Sequence, residues 1–225
     1  MDARVLAVAL LGALATTFAH AAPTSVKRVA LVFDDGPRPA DAEPLLALLA
    51  KEKVAVTFSL VGDRVRENPA TAKAIIAAGH EIANHSQSHA HPRDLDDQAL
   101  DREVANAQQL IQITVGKAPK WYWPPYIEID ARVRAAVARA GLKIYEPKPL
   151  IVSKDYDTSV NADAILRNAT TGVQDGAVIL FHEWRKETLA QLPAILAELR
   201  RQNCIFFTFS GLQAELHPRA SISSP

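Results

Sequence analysis

The chain has one cysteine and no excess of either charge, and both features exclude whole classes of protein. Cys204 cannot form an intrachain disulfide, so covalent cross-links do not hold this fold. Because it opens the apolar run Cys-Ile-Phe-Phe, Cys204 is predicted to be a small core residue rather than a nucleophile. Lys and Arg together number 25, as do Asp and Glu. This balance leaves no electrostatic argument for a nucleic acid or a strongly acidic polymer as a partner.

Long apolar runs are also missing after the N-terminus, where none approaches the roughly 20 residues of a membrane helix. The run from Val5 to Phe18 is itself too short for a comfortable span, and it leads into Ala-His-Ala, which suits signal peptidase. Residues 1–21 are therefore predicted to be a signal peptide cleaved after Ala21. We expect an exported protein, periplasmic or secreted, without stable membrane insertion. An uncleaved anchor and a buried helix are the alternatives.

The size and composition of the chain fit one folded domain. It has 225 residues, of which 48% are hydrophobic and 22% charged, close to the average for folded soluble proteins. No internal repeat or low-complexity linker divides it. The predicted organisation is a signal peptide at 1–21, an N-terminal linker at 22–28, a folded domain at 29–211 and a C-terminal tail at 212–225.

Apolar runs of β type alternate with segments of helical periodicity along the folded part of the chain. Strands are predicted at residues 29–33, 54–61, 81–84, 121–123, 142–145, 150–152, 177–181 and 205–209. Helices are predicted at residues 41–51, 69–78, 96–113, 130–140, 162–169 and 187–201. Such alternation is typical of βα units and predicts a parallel sheet.

Chemically versatile side chains follow several of these predicted strands. They are Asp34-Asp35 after the first strand, His85 after the third, Pro125-Tyr126 after the fourth and His182 after the seventh. Barrel-type βα folds place active sites at the C-terminal ends of their strands. We therefore expect these residues to meet in one site.

Two adjacent carboxylates, Asp34 and Asp35, stand where the first strand ends, and Gly36 is expected to permit a tight turn there. Neighbouring carboxylates repel each other, and a nearby cation would relieve that repulsion. It would bind one carboxylate while the other stays free as a base. A simple turn in which aspartate caps the Gly-Pro bend is the alternative.

Two histidines, His85 and His89, have a spacing that one helical turn would bring to the same side, as ligands for a divalent ion. With Asp35 they form a two-histidine, one-carboxylate set that leaves coordination positions open for water and substrate. A solvated helix face is the alternative for this pair, since His91 nearby shows that histidines are locally common.

A third histidine, His182, ends an apolar run and is predicted to reach the same edge of the sheet, where it could protonate a leaving group. Asp155 is a candidate to orient and charge that imidazole. A satisfied core histidine is the alternative interpretation.

Taken in order, these segments resemble the polysaccharide deacetylase family, also called carbohydrate esterase family four or the NodB homology domain, from Val29 to Phe209. Residues 32–36 match the family motif Thr-Phe-Asp-Asp-Gly except at its first position, and residues 85–89 match His-Ser/Thr-x-x-His in full. The preceding residues 78–84 also resemble the family sequence. The resemblance implies an α/β fold, a distorted (β/α) barrel of about seven parallel strands in a single domain.

Carried over residue by residue, the resemblance implies roles for five side chains. Asp34 would be the catalytic base and His182 the catalytic acid, while Asp35, His85 and His89 would bind one divalent metal ion. Zinc is the default ion. Cobalt, nickel and manganese remain open, because such ligands do not separate these ions cleanly.

The third family motif, Arg-x-Pro-Tyr/Phe, falls on residues 123–126, where Trp123 replaces the arginine. In the family that arginine holds the catalytic aspartate, so the orientation of Asp34 is the main point at which this chain departs from the pattern. Pro125 and Tyr126 match the motif, and with Trp123 they are expected to lie at the substrate. The backbone N–H of Tyr126 is expected to help bind an oxyanion.

The fourth and fifth motifs supply the remaining implied residues. Asp155 keeps the carboxylate of the fourth motif, with Tyr156 in place of the usual tryptophan. Leu180 begins the fifth motif and would line the pocket for the acetyl group.

These features predict a metal-dependent hydrolase that removes acetyl groups, mainly N-acetyl, from a carbohydrate polymer or oligomer. A catalytically weakened carbohydrate-binding domain and a small-molecule amidohydrolase of the same fold are the alternatives. An aromatic-rich stretch beside the expected site is predicted either to stack on sugar rings or to pack in the core. Its members are Trp121, Tyr122, Trp123 and Tyr126.

Overall fold

The computed structural model describes residues 25–147 and 149–218 of the chain. Its strands are β1 Lys27–Gly36, β2 Thr57–Leu60, β3 Glu81–Asn84, β4 Trp121–Tyr122, β5 Lys143–Ile144, β6 Leu150–Val152, β7 Val178–His182 and β8 Cys204–Phe207. Its α-helices are α1 Pro39–Glu52, α2 Gly62–Glu67, α3 Pro69–Ala77, α4 Asp97–Val115, α5 Ala131–Arg139, α6 Ala162–Thr170, α7 Lys186–Arg201 and α8 Phe209–Leu216. Two short 3₁₀ turns lie at Pro92–Asp94 and Pro125–Ile127.

The strands form one sheet in which every pairing is parallel. Seven of them follow the order β5-β4-β3-β2-β1-β7-β6, and β8 pairs with the first half of β1. The sheet curls into a half-barrel, so the predicted distorted barrel in a single α/β domain is confirmed. Helices lie in the connections from β1 to β5 and from β6 to β8, as crossovers between parallel strands require.

Strand β1 is the centre of the sheet, and its alternation decides which way each side chain faces. Val29, Leu31 and Phe33 pack in the large cluster shared with α1 and α7. Ala30 and Val32 pack in a second cluster, which contains Trp123, Leu180 and Phe209. The same two-residue period carries the next even-numbered side chain, Asp34, towards that second cluster.

Several predicted boundaries move in the structure. The second strand is shorter than predicted, and α2 occupies residues that the sequence reading left without an element. The last strand ends at Phe207, not at Phe209. The reason is a helix cap: the Thr208 side chain accepts a hydrogen bond from the Gly211 N–H at 3.2 Å, so Phe209 begins α8.

Helix α8 also corrects the predicted tail, which begins after Leu216 rather than at residue 212. Phe209 and Leu212 are fully buried, and the Phe209 N–H donates to Thr57 Oγ1 at 2.9 Å. The helix is therefore part of the folded domain.

The structure tests some of the remaining predictions, whereas those for the N-terminus fall largely outside the described residues. Cys204 is buried at the start of β8, and burial raises the pKa of its thiol, as expected of a core residue. Among the described residues, no helix has both the length and the apolarity needed to cross a membrane. The predicted signal peptide at 1–21 and residues 22–24 of the predicted linker lie outside the described residues, and β1 begins within that linker.

The helix boundary gives a stability prediction. A chain that ends at residue 211 lacks Leu212, and the loss of a buried leucine side chain costs about 2–5 kcal/mol. We expect its free energy of unfolding in urea to fall by at least that amount, whereas a chain that ends at residue 218 keeps α8 and unfolds as the full domain does. Equal stability of the two shortened chains would contradict the placement of α8 in the core.

Candidate active site

Asp34 lies near the end of β1 and is almost fully buried, with 4% of its surface exposed. Each of its carboxylate oxygens has a donor: Ser59 Oγ donates to Oδ1 at 2.5 Å and Trp123 Nε1 donates to Oδ2 at 2.8 Å. Burial raises the pKa of Asp34 to about 7, although the charge of His182 and these hydrogen bonds act to lower it. A carboxylate with such a pKa suits proton transfer near neutral pH.

Trp123, which the sequence motif places where an arginine is expected, contacts the predicted base directly. Its indole N–H donates to Asp34, its backbone N–H donates to the Asn84 carbonyl at 2.9 Å, and its own carbonyl accepts from His85 Nδ1 at 2.6 Å. The residue is fully buried. One residue thus positions both the predicted base and a predicted metal ligand.

Asp35, His85 and His89 converge: one ligand atom from each lies within 4.8 Å of the others. Asp35 Oδ1 is 3.2 Å from His89 Nε2 and 3.8 Å from His85 Nε2. The expected helical turn between the histidines is wrong. They stand on an irregular loop after β3, and Ser86 and His89 adopt left-handed backbone angles, with φ of 65° at each.

The chemistry of this triad fits a bound cation. Asp35 Oδ1 is buried and has no hydrogen-bond donor, although it faces both imidazoles. Because a carbonyl can only accept, His85 Nδ1 carries the proton and Nε2 presents a lone pair to the site. Burial lowers the pKa of His85 to about 3, and burial also lowers the pKa of His89. Neutral imidazoles beside a carboxylate are the forms that bind a divalent ion.

Side chains hold the loop that carries these histidines by accepting hydrogen bonds from its backbone N–H groups. Glu103 on α4 accepts from the Gln87 N–H at 3.0 Å and from the Ser88 N–H at 2.8 Å. Asn84 Oδ1 accepts from the Ser86 N–H at 2.9 Å, and Ser86 Oγ accepts from the His89 N–H at 3.0 Å. These hydrogen bonds stabilise the irregular loop, because its backbone N–H groups have no acceptors in a helix or sheet.

His182, at the end of β7, makes the contact with Asp155 that the sequence suggested. His182 Nδ1 donates to Asp155 Oδ1 at 2.7 Å, and Asp155 Oδ2 accepts from the His182 N–H at 2.8 Å and from Thr188 Oγ1 at 2.7 Å. Burial lowers the pKa of His182, but the bond to Asp155 and the charge of Asp34 outweigh it, so the pKa lies above its ordinary value. The free Nε2 of such an imidazolium can donate a proton.

A pocket of about 590 Å³ joins these groups. Its apolar wall includes Leu180 and Val152, and two exposed rings, Tyr126 and Tyr156, stand in its lining with 51% and 54% of their surface accessible. Trp123 and Pro125 were also expected at the substrate. The structure buries both and places neither in the pocket lining, so Trp123 acts from behind Asp34.

The other aromatic residues of the stretch beside the site are likewise divided between buried and exposed positions. Tyr122 is fully buried, and Trp121 lines a separate surface groove, where its indole donates to Ser210 Oγ at 2.9 Å. Tyr126 is the member that faces the pocket, stacked on His91 with ring centres 3.4 Å apart. Core packing therefore explains Tyr122 and Trp123.

Gly36 is needed for space rather than for a left-handed turn. The left-handed angle belongs to Asp35, with a φ of 69°, and Gly36 is the last residue of β1. A Cβ atom at Gly36 would lie 2.1 Å from Glu183 Oε2 and 2.9 Å from a methyl carbon of Leu60. The close approach of Glu183, whose Oε1 accepts from the Arg38 N–H at 2.6 Å, fixes this choice.

Sequence reasoning missed four residues that support the site. Ser59 lies on β2 and faces Asp34, and Thr188 on α7 bonds to Asp155. Glu103 holds the histidine loop, and the Trp184 indole donates to Asp35 Oδ2 at 3.0 Å. None of these four residues lies in a sequence motif that predicts a functional site. Ser59 is the member of the four that the sequence could have suggested, because it puts a small polar side chain into the otherwise apolar run Phe-Ser-Leu of a buried strand.

Comparison with known proteins now assigns the family. The family model described as polysaccharide deacetylase matches residues 21–145, more than half of the chain. The chain belongs to the polysaccharide deacetylase family. This membership supports deacetylase activity and agrees with the resemblance of the sequence motifs.

Individual relatives extend the comparison beyond the matched segment. A peptidoglycan-N-acetylglucosamine deacetylase of Bacillus cereus is 29% identical over 198 residues, covering 87% of this chain and 92% of the relative. A family 4 carbohydrate esterase from Streptomyces lividans, solved with acetate, is 32% identical with a TM-score of 0.74, covering 80% of this chain and 91% of that one. A family 4 acetyl xylan esterase from Clostridium thermocellum, solved with a cobalt ion, is 30% identical with a TM-score of 0.77 and covers 84% and 91%.

The triad gives a metal-binding prediction for this chain. We expect the chelator-treated protein to bind cobalt(II) and His85→Ala to lose that binding. The loss should exceed the roughly 10- to 100-fold cost of losing an outer-shell partner of a metal site. Calorimetric titration measures it. His91→Ala is the matched control, because His91 bonds to Glu128 and stays outside the triad. Equal cobalt affinity in both variants would contradict the assignment.

Proposed function

We propose that this protein is a metal-dependent hydrolase that removes acetyl groups, mainly N-acetyl, from a carbohydrate polymer or oligomer. The observation that carries the proposal is convergence in one pocket. A buried carboxylate, Asp34, lines the same pocket as the candidate metal triad and as His182, an imidazole that has its own carboxylate partner in Asp155. Amide hydrolysis needs an activated water, a polarised carbonyl and a proton donor, and these groups together can supply all three.

The demand follows from the leaving group. An amide is a poor acylating group, and its amine leaves badly unless it is protonated, so a catalyst must activate water, polarise the carbonyl and supply a proton. Asp34, fixed by Ser59 and Trp123, takes a proton from the attacking water. His182 then delivers a proton from Nε2 to the departing sugar nitrogen while Asp155 stabilises its charge.

The remaining requirement is polarisation of the carbonyl. A divalent ion held by Asp35, His85 and His89 would supply Lewis-acid chemistry and would make a bound water more acidic. Zinc is the default ion for two imidazoles and a carboxylate, and the same donors also suit cobalt, nickel and manganese. The relative solved with a cobalt ion supports the proposal that this protein binds a divalent metal.

Backbone and apolar groups complete the acetyl site. Tyr126 lies in the short turn Pro125–Ile127 with a left-handed φ of 57°, and its backbone N–H is the group that the third sequence motif assigns to oxyanion binding. We assign that N–H to the oxyanion, beside the pocket that Tyr126 lines. Leu180 and Val152 give the acetyl methyl group an apolar wall.

The proposed substrate is an N-acetylated polymer of the cell envelope or its surroundings. A signal peptide at residues 1–21 would export the protein to the periplasm or the exterior, where such polymers occur. The relative named as a peptidoglycan-N-acetylglucosamine deacetylase supports N-acetylglucosamine as the sugar. Tyr126 and Tyr156 expose ring faces at the pocket that can pack on the apolar face of a pyranose.

The decisive prediction concerns Asp34. We expect wild-type protein with metal restored to release acetate from N-acetylated polymers, and Asp34→Asn to release none while it binds cobalt(II) as tightly as wild type. An amide cannot accept the proton from water, but it keeps the shape of the carboxylate. Acetate assay and calorimetry of the same preparations measure the two properties.

The substrates divide the competing functions. Peptidoglycan, chitin oligomers, poly-N-acetylglucosamine and acetylated xylan test the polymer classes, and N-acetylglucosamine itself tests a small-molecule amidohydrolase. Binding of a polymer without acetate release by wild type would instead identify a carbohydrate-binding domain. Undiminished acetate release by Asp34→Asn would sink the proposed mechanism.

A further inference from the structure

The chain has three tryptophans, and each donates its indole N–H to a side-chain oxygen. Trp121 donates to Ser210 Oγ at 2.9 Å, outside the pocket. Trp123 donates to Asp34 Oδ2 at 2.8 Å, and Trp184 donates to Asp35 Oδ2 at 3.0 Å. Two of the three indoles therefore bond to the two adjacent carboxylates of the site, one to each.

Trp184 lies in the turn directly after β7, two residues beyond His182. Its ring lines the same pocket as His182, with the two ring centres 5.7 Å apart. Because its N–H engages Asp35 Oδ2, the other oxygen, Oδ1, is left to face His89 and His85. The hydrogen bond thus selects which carboxylate oxygen points into the triad.

Arg64 is the other donor beside Asp35, and its geometry gives it a different task. Its guanidinium donates to the Asp35 backbone carbonyl and stays 3.9 Å from Oδ1. That distance is beyond a hydrogen bond. Arg64 therefore anchors the backbone of the residue, whereas Trp184 contacts the carboxylate itself.

We propose that Trp184 is a positioning residue that orients Asp35 for metal binding while its ring forms part of the pocket wall. This rests on the proposed metal-dependent function. Without the indole N–H, Asp35 Oδ2 loses its donor in a mostly buried site, and the carboxylate can turn Oδ1 away from the imidazoles. Outer-shell donors to a ligating carboxylate hold it in place in this way, and their loss typically lowers metal affinity about 10- to 100-fold.

The test is a matched pair of substitutions that each replace an indole by a ring without the N–H. Trp184→Phe removes the donor to Asp35, and Trp121→Phe removes the donor to Ser210. Chelator-treated preparations of wild type and both variants are titrated with cobalt(II) by calorimetry, and their metal-free melting temperatures are measured alongside. We expect Trp184→Phe to bind cobalt(II) about 10- to 100-fold more weakly, with a metal-free melting temperature close to that of Trp121→Phe. Trp121→Phe should bind as wild type does.

The outcomes separate this inference from the function on which it rests. Equal cobalt affinity in wild type and Trp184→Phe would overturn the role of Trp184 and leave the metal site intact. Weaker binding accompanied by a much lower metal-free melting temperature than that of Trp121→Phe would also overturn it, because a structural defect would then explain the loss. Failure of wild type itself to bind cobalt(II) would contradict the proposed function first.

Discussion

The hydrogen bond from the Trp123 indole to Asp34 is the interaction on which the site depends. Trp123 follows β4 directly, and its backbone carbonyl fixes the proton of His85 on Nδ1 while its side chain fixes the predicted base. The predicted base and a predicted metal ligand are therefore both positioned by Trp123. A displacement of Trp123 would misplace Asp34 and change which His85 nitrogen faces the triad, so its complete burial among core side chains has a direct functional consequence.

A neutral donor in place of a guanidinium alters the electrostatics of the base. A neighbouring arginine would lower the pKa of Asp34 by its charge, whereas an indole N–H stabilises the carboxylate by a hydrogen bond alone. With burial as the largest influence, the pKa of Asp34 lies near 7. Trp184 repeats the arrangement at Asp35. Neutral indole donors thus contact both adjacent carboxylates, and His182 together with the proposed cation of the triad would balance their charge.

The sequence predicted what depends on strand order and missed what depends on distant contacts. Asp34 and His182 could be placed because each follows an apolar run. In the structure the two residues are direct partners in the register of β1 and β7. The Ser59 and Glu103 contacts could not be placed, because they reach Asp34 and the histidine loop across neighbouring elements. The His85–His89 spacing correctly placed the two imidazoles side by side but suggested a helix, since spacing alone does not distinguish a helical turn from a loop held by side-chain acceptors.

The rate of acetate release by Trp123→Phe tests the central claim most directly. The substitution removes the donor to Asp34 but keeps the backbone carbonyl that binds His85. The account predicts that kcat on an N-acetylated substrate falls about 100-fold, the typical cost of misplacing a reacting group, while cobalt(II) affinity stays at the wild-type value. A kcat equal to that of wild type in a folded Trp123→Phe variant would contradict the claim that this indole holds the base.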